Sequence, residues 1–279
     1  MYRLVVSDID GTLVDGRGHL REETKQAIHR LQAKGVLFTL STGRNITKAL
    51  PIARQLDLRL PFFCIDGILA FDRQGGVIRW DAPLKKDQAQ ALVQIGLAQK
   101  TFLEINDGYR YYKFLPEKRH QTFDLFNRPT PLGRMKSYLG GVRYLREKEV
   151  LSLLKGTVYQ VVLADEPAQI HAAAAAIRAA NIDGIEIRDQ IWDGFLFLNR
   201  KGMGKERSIQ VLSRQLSIPQ QEIVAFGDDT NDIGLLQEAG LGIAMGNAHP
   251  LAKAAADRMA PSNEENGVAV VLGELFETC

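Results

Sequence analysis

Apolar residues recur along the chain in two patterns: short continuous runs, and longer stretches in which they return every three to four positions. The runs at 3–7, 36–40 and 62–65 are of the first kind and predict buried strands, since only a strand covered on both faces can be apolar throughout. Residues 22–34 show the second pattern, with Ala27, Ile28 and Leu31 on one helical face and Gly35 as the stop. Residues 46–56 predict another helix, ended by the segment before Pro61. This βαβαβ rhythm predicts a parallel sheet with helices on both faces. The connection over residues 11–20 is longer than the 2–6 residues usual between strand and helix, and it reads as a functional flap.

The rhythm breaks at residues 81–83. A helix is predicted at 87–99, then extended segments at 102–105 and 109–114, joined through the hairpin signal Asn106-Asp107-Gly108. An irregular basic stretch leads to a strand at 157–163. Next come an Ala-rich helix at 167–180, with Ile170, Ala174 and Ile177 in phase, and strands at Ile185 and near Phe195. The first rhythm then resumes with a helix at 205–216, a strand at 223–226, a helix at 231–239, a strand at 241–244 and a terminal helix. The expected architecture is α/β: a Rossmann-like parallel-sheet core built from residues 1–82 and 199–279, interrupted by a smaller α+β module at 83–198.

Composition narrows the function classes. At 279 residues, 45% hydrophobic and 24% charged, the chain suits a globular protein of two unequal units. It has no apolar run of about 18 residues, so no membrane partner is expected. No basic segment followed by an apolar stretch opens the chain, and a cytoplasmic location is expected. Cys64 lies in an apolar run and Cys279 is terminal, which argues against a disulfide framework. The five histidines are scattered, without zinc-ligand spacing. A net charge of +2 gives no reason to expect a nucleic-acid partner. Its distribution is uneven: residues 107–149 carry +5 and the rest −3, a positive lobe able to draw in an anionic substrate.

Candidate chemistry gathers where predicted core strands end. Asp8-Ile9-Asp10-Gly11-Thr12 follows the first strand, and residues two apart on an extended chain project to one side, so Asp8 and Asp10 can face a common site. Such a pair can bind a divalent cation, with one member attacking an electrophile while the other moves a proton. Ser41-Thr42-Gly43-Arg44 follows the second strand and offers a hydroxyl and backbone N–H groups to phosphate oxygens. Gly227-Asp228-Asp229-Thr230-Asn231-Asp232 follows the strand at 223–226 as an acidic turn suited to a hard cation. Lys201-Gly202-Met203-Gly204-Lys205 opens a helix after the inserted module. Parallel strands side by side bring such loops to one crevice, and phosphoryl transfer is the chemistry most in need of this set.

In order and type, these four motifs resemble those of the haloacid dehalogenase superfamily. Met245-Gly246-Asn247-Ala248 and Glu265-Asn266-Gly267-Val268 resemble its Cof-type sugar-phosphatase branch, which carries a large C2 cap between the second and third motifs. The resemblance implies a phosphatase acting on a small phosphorylated metabolite, chiefly a sugar phosphate, through an aspartyl-phosphate on Asp8. Asp10 would be the general acid and base. Mg²⁺ would sit on the Asp8 carboxylate, the Asp10 carbonyl and Asp228, with Asp232 in support. Thr42, Gly43, Lys205 and Asn231 would hold the phosphoryl oxygens, and Arg44 and Asn247 are candidates for touching substrate. The cap would set specificity, with Arg110, Tyr111, Tyr112, Lys113 and Arg188 as candidates. One departure stands out: Ile65-Asp66-Gly67-Ile68 occupies the place where such proteins usually show Asn-Gly-Ala, adding a negative charge near the crevice. Two other readings share the motifs. A phosphohexomutase would retain its phosphate instead of releasing it. A non-catalytic phospho-aspartate switch or sugar-phosphate sensor would need neither Asp10 nor a cap.

Overall fold

The computed structural model describes residues 1–78, 83–116, 141–190 and 194–276, and they divide into two compact units, Met1–Asp81 with Gly204–Cys279, and Ala82–Met203. The first unit opens with β1 (Leu4–Ser7), α1 (Glu22–Ala33), β2 (Leu37–Leu40) and α2 (Ile46–Gln55), followed by β3 (Phe62–Cys64), β4 (Leu69–Phe71) and β5 (Val77–Ile78). The second unit holds α3 (Lys86–Ala98), β6 (Phe102–Asn106), β7 (Tyr111–Phe114), β8 (Val142–Leu145), α4 (Glu147–Leu153), β9 (Gln160–Ala164), α5 (Pro167–Ala179), β10 (Ile185–Gln190) and β11 (Phe195–Arg200). The first unit then resumes with α6 (Arg207–Leu216), β12 (Ile223–Gly227), α7 (Ile233–Glu238), β13 (Leu241–Ala244), α8 (Pro250–Ala255), β14 (Arg258–Met259) and α9 (Gly267–Phe276).

The principal sheet of the first unit is parallel throughout, in the order β14-β13-β12-β1-β2. Every residue of β1 is buried, as its unbroken Leu-Val-Val run requires of a strand flanked on both edges and covered on both faces. The amphipathic face of α1 is buried through Thr24, Ala27, Ile28 and Leu31, and α1 packs against α9. The loops that carry Asp8 and Asp10, Thr42 to Arg44, Asp228 to Asp232 and Asn247 leave the carboxyl ends of β1, β2, β12 and β13, whereas Lys205 stands ahead of α6.

The run at 62–65 departs from expectation. Among the described residues its pairing with the parallel sheet is reduced to one isolated parallel bridge between Ser41 and Phe63. Its strand pairings are antiparallel, in a small sheet of order β3-β4-β5. The chain reverses through Ile65, Asp66 and Gly67, all at positive φ, and Leu69–Phe71 returns beside β3. An apolar run does not say which way its partner runs, so periodicity could not distinguish the two arrangements.

In the second unit a six-stranded sheet has the order β10-β11-β9-β6-β7-β8 and is antiparallel except for the β7–β8 pair. Its core joins Leu92 and Val93 of α3 and Ile170, Ala174 and Ile177 of α5 to Leu103, Ile105, Val161, Leu163, Leu196 and Leu198 on one sheet face. Strand alternation puts Phe102, Glu104, Tyr111, Lys113, Phe197 and Arg188 on the opposite face. Among the described residues no helix is long and apolar enough to cross a membrane.

Candidate active site

Asp8 emerges from β1 with its side chain almost fully enclosed, 4% exposed. Lys205 is buried as deeply. Its ammonium donates to Asp8 Oδ1 at 2.8 Å and to Asp232 Oδ1 at 2.7 Å, bridging two loops that leave neighbouring strands. Asp232 has a second duty, since its Oδ2 accepts from the backbone N–H groups of Asp228 and Asp229, both at 3.1 Å. That contact turns residues 230–232 into a 3-10 turn ahead of α7, where a single helix over 231–239 was expected. The helix expected from residue 205 likewise begins at Arg207, because the Lys205 carbonyl is taken by the hydroxyls of Ser41 and Ser208.

Asp228 completes the group. Thr12 Oγ1 donates to its Oδ1 at 2.7 Å. One carboxylate oxygen from each of Asp8, Asp228 and Asp232 lies within 4.8 Å of the other two. The approach depends on Gly11, which has φ +71°, because a Cβ built there would stand 2.1 Å from Asp228 Oδ2. Three convergent carboxylates without nitrogen or sulfur donors form a set for a hard divalent cation such as Mg²⁺. The electrostatics agree. Burial pushes the Asp8 carboxyl well above the usual carboxylate range; Lys205 opposes this, and Asp232 and Asp228 add to it. Burial, with Asp232 next, pushes Asp228 up to about 7 against the hydrogen bond from Thr12. Burial alone would lower Lys205, but the attraction of Asp232 and Asp8 outweighs it and raises the ammonium above its ordinary value. A bound cation would relieve the crowding that this one ammonium only partly offsets.

The second loop lies beside this group. Thr42 is buried, its N–H donates to the Phe63 carbonyl at 2.9 Å, and its hydroxyl accepts from the Arg44 N–H at 3.2 Å. Asn231 Nδ2 donates to Asp66 Oδ1 at 2.9 Å, and Gly43 sits against the same carboxylate. Asp10 is placed apart from the trio. Its side chain is 62% exposed and held by the Arg44 guanidinium, with Nε donating to Oδ2 at 2.7 Å and Nη2 to Oδ1 at 2.6 Å. Asn247 spends both ends of its carboxamide on neighbouring backbone, donating to the Gly11 carbonyl at 2.8 Å and accepting from the Asn263 N–H at 3.0 Å.

Sequence reasoning missed the part played by the residues around Asn247. Asn263 Nδ2 donates to the Val14 carbonyl at 2.9 Å, and Glu264 accepts from the Gly16 N–H and pairs with Arg21. These contacts tie down the expected flap. Of the residues named in the inserted module, Tyr112 faces the apolar core and donates its hydroxyl to Asp107 at 2.8 Å. Tyr111 and Lys113 lie on the opposite face, where Lys113 pairs with Glu104 at 2.8 Å. Arg188 donates to the carbonyl of Met203 at 2.9 Å and to Asn199 Oδ1 at 3.3 Å. Lys118, Arg119, Arg128, Arg134 and Lys136, half of the basic lobe, lie outside the described residues.

Comparison with known proteins gives a consistent picture. A family model described as haloacid dehalogenase-like hydrolase matches residues 5–272. The chain is 28% identical to the 5-amino-6-(5-phospho-D-ribitylamino)uracil phosphatase YitU of Bacillus subtilis, over 98% of this chain and 97% of that protein. It is 25% identical to the phosphatase YwpJ of the same organism, over 98% and 100%. Among solved structures, a haloacid dehalogenase-like hydrolase from Bacteroides thetaiotaomicron superposes with a TM-score of 0.80 at 21% identity, covering 99% of this chain and 100% of the other. A subclass IIB sugar phosphatase of the same superfamily superposes with a TM-score of 0.78 at 21% identity, covering 98% of both.

Proposed function

The chain belongs to the haloacid dehalogenase-like hydrolase family and is a phosphatase, and from that premise we propose that it hydrolyses a small phosphorylated metabolite, a sugar or polyol phosphate, with Mg²⁺ and an aspartyl-phosphate on Asp8. The observation that carries this reading is the buried Lys205 bridge between Asp8 and Asp232, with Asp228 converging on the same point. A buried ammonium fixes Asp8 Oδ1, opposes the burial that raises the carboxyl, and leaves Oδ2 to attack phosphorus. The names of relatives that act on a ribitylamino-uracil phosphate and on sugar phosphates support the substrate class.

As Oδ2 bonds to phosphorus, the bond to the leaving oxygen breaks, and Asp10 gives that oxygen its proton. Asp10 then takes a proton from the water that attacks the aspartyl-phosphate, which frees inorganic phosphate and restores Asp8. The fork of Arg44 must release Asp10 for both transfers; the resting geometry of a catalytic acid is commonly looser than its working one. The Thr42 hydroxyl, the Gly43 N–H, Lys205 and Asn231 Nδ2 hold the phosphoryl oxygens, so most of the rate comes from positioning and charge stabilisation. Asp8, Asp228 and Asp232 would hold the cation, with the Asp10 carbonyl beside them; when bound it neutralises charge on the phosphoryl group. The second unit would set which leaving group is accepted.

The test is inorganic phosphate release from a panel of sugar, polyol, nucleotide, flavin and pyridoxal phosphates, with and without Mg²⁺, by the wild type and by Asp8→Asn. Release that requires both Mg²⁺ and Asp8 supports the reading, and the ranking names the substrate class. Isomerisation of a sugar phosphate without net release would replace it with a mutase.

A further inference from the structure

Asp66 has no role in the reaction just described, yet its carboxylate is buried at the phosphoryl end of the site, 5% exposed. The turn that carries it is unusual: Ile65 and Asp66 adopt φ of 53° and 52°, a left-handed conformation that a β-branched residue such as isoleucine rarely accepts. Backbone bonds to the second loop hold it there. The Ile65 N–H donates to the Arg44 carbonyl and the Asp66 N–H to the Thr42 carbonyl, both at 3.0 Å. Strain kept in place by such bonds clusters at functional sites.

The strained turn aims Asp66 at the groups proposed to hold phosphate. Its Oδ1 accepts from Asn231 Nδ2 at 2.9 Å, a Cβ on Gly43 would stand 3.1 Å from the same oxygen, and its charge helps to raise Lys205. We propose that Asp66 is a positioning residue of the phosphoryl cradle, its carboxylate fixing the amide end of Asn231 while its charge holds down the cradle's affinity for anions. This rests on the phosphatase reading of the site.

An ionised carboxylate only accepts hydrogen bonds, so it can hold an asparagine by the NH₂ end alone. Flipping Asn231 would set two acceptor oxygens against each other. The opposite end of the amide, Asn231 Oδ1, is buried without a hydrogen-bond partner among the described residues, so the amide is held through its nitrogen. One Nδ2 hydrogen is spent on Asp66 and the second remains for a phosphoryl oxygen. The same contact sets a negative charge one amide group away from a bound anion, where repulsion in a partly desolvated site is substantial. Acceptor and charge therefore act in opposite directions, and substitutions can separate them.

The experiment compares Asp66→Asn, Asp66→Ala, Asn231→Ala and the Asp66→Ala/Asn231→Ala double variant in the full chain with Mg²⁺. It reads calorimetric binding of inorganic phosphate together with kcat and KM for p-nitrophenyl phosphate. Asp66→Asn, which removes the charge and keeps an acceptor, binds phosphate about tenfold more tightly. Asp66→Ala, which removes the acceptor, lowers kcat about tenfold, and adding Asn231→Ala costs little more because the two act as one unit. Phosphate binding that is unchanged or weaker in Asp66→Asn overturns the proposal, as does full additivity in the double variant. If Asp66→Ala does not fold, Asp66→Asn alone decides, since general damage to the site would weaken binding and not tighten it. Wild-type-like turnover by Asp8→Asn would instead count against the underlying reading of the site, whatever phosphate binding shows at Asp66.

Discussion

Asp8 has two carboxylate oxygens, and Lys205 occupies one of them, so a change at this residue separates chemistry from stability. Asp8→Asn removes the proposed nucleophile while keeping its shape and its acceptor oxygen. Phosphate release should fall at least about 10³-fold, as for other nucleophile deletions. The thermal midpoint should hold or rise, because one of three crowded acidic charges has gone. A folded Asp8→Asn protein that still turns over would remove Asp8 from the mechanism. Asp228 makes a different prediction. Its carboxyl is raised in the folded chain from 3.8 to about 7, so between those values the folded protein keeps a proton that the unfolded chain has released. Without a cation, stability must therefore fall as pH rises through that window. A cation that takes the ionised carboxylate gains what the proton gives up. The stabilisation by Mg²⁺, measured as the difference in thermal midpoint between magnesium- and EDTA-treated samples, should widen from roughly pH 5 to pH 8. A gap that stays constant with pH would mean that Asp228 is not the coupled group.

At the scale of elements, the loop after β1 is held by segments from the far end of the chain. Asn263 reaches the Val14 carbonyl, Asn247 the Gly11 carbonyl and Glu264 the Gly16 N–H. Asn263→Ala should leave the Val14 carbonyl unbonded and cost about 1–2 kcal/mol, with faster amide exchange confined to the loop and a several-fold lower kcat. Exchange that quickens across the whole first unit would show a global effect in place of a local tether. The hydrogen bonds of these asparagines were not legible beforehand, because the carbonyls to which their carboxamides donate lie more than two hundred residues away in sequence. The strands that carry the site loops were legible: β1, β2, β12 and β13 are largely apolar runs bounded by turn-forming residues, and burial dictates such runs locally. The reversal after β3 was not, since Ile65 and Asp66 take backbone angles that their residue types disfavour and that only tertiary bonds sustain. For the same reason the Arg44–Asp10 pair could not be read from the motifs, though each residue was named. Spacing says that side chains share a crevice and does not say which of them spend their hydrogen bonds on one another.

For the whole molecule, chain order and structural order disagree, and this has consequences for folding. β1 is an interior strand whose partners are β2 nearby and β12, with Leu4 opposite Ile223. Residues 1–81 alone would therefore leave one edge of a fully buried strand bare, the situation that drives aggregation. Residues 82–203 contain all the described strands of their own sheet and the apolar cluster between that sheet and α3 and α5. Expressed alone, 82–203 should show a cooperative urea transition, whereas 1–81 should show none. The same division should appear in the intact chain. A ligand stabilises only the unit that binds it, so Mg²⁺ should raise the transition of the unit holding Asp8, Asp228 and Asp232 and leave that of residues 82–203 where it stands. Two transitions, one of them moved by magnesium, would show that the inserted unit folds as a guest of the core. A single transition moved as a whole would show that the two units are coupled strongly enough to unfold together, and a change in either one would then be felt at the carboxylates.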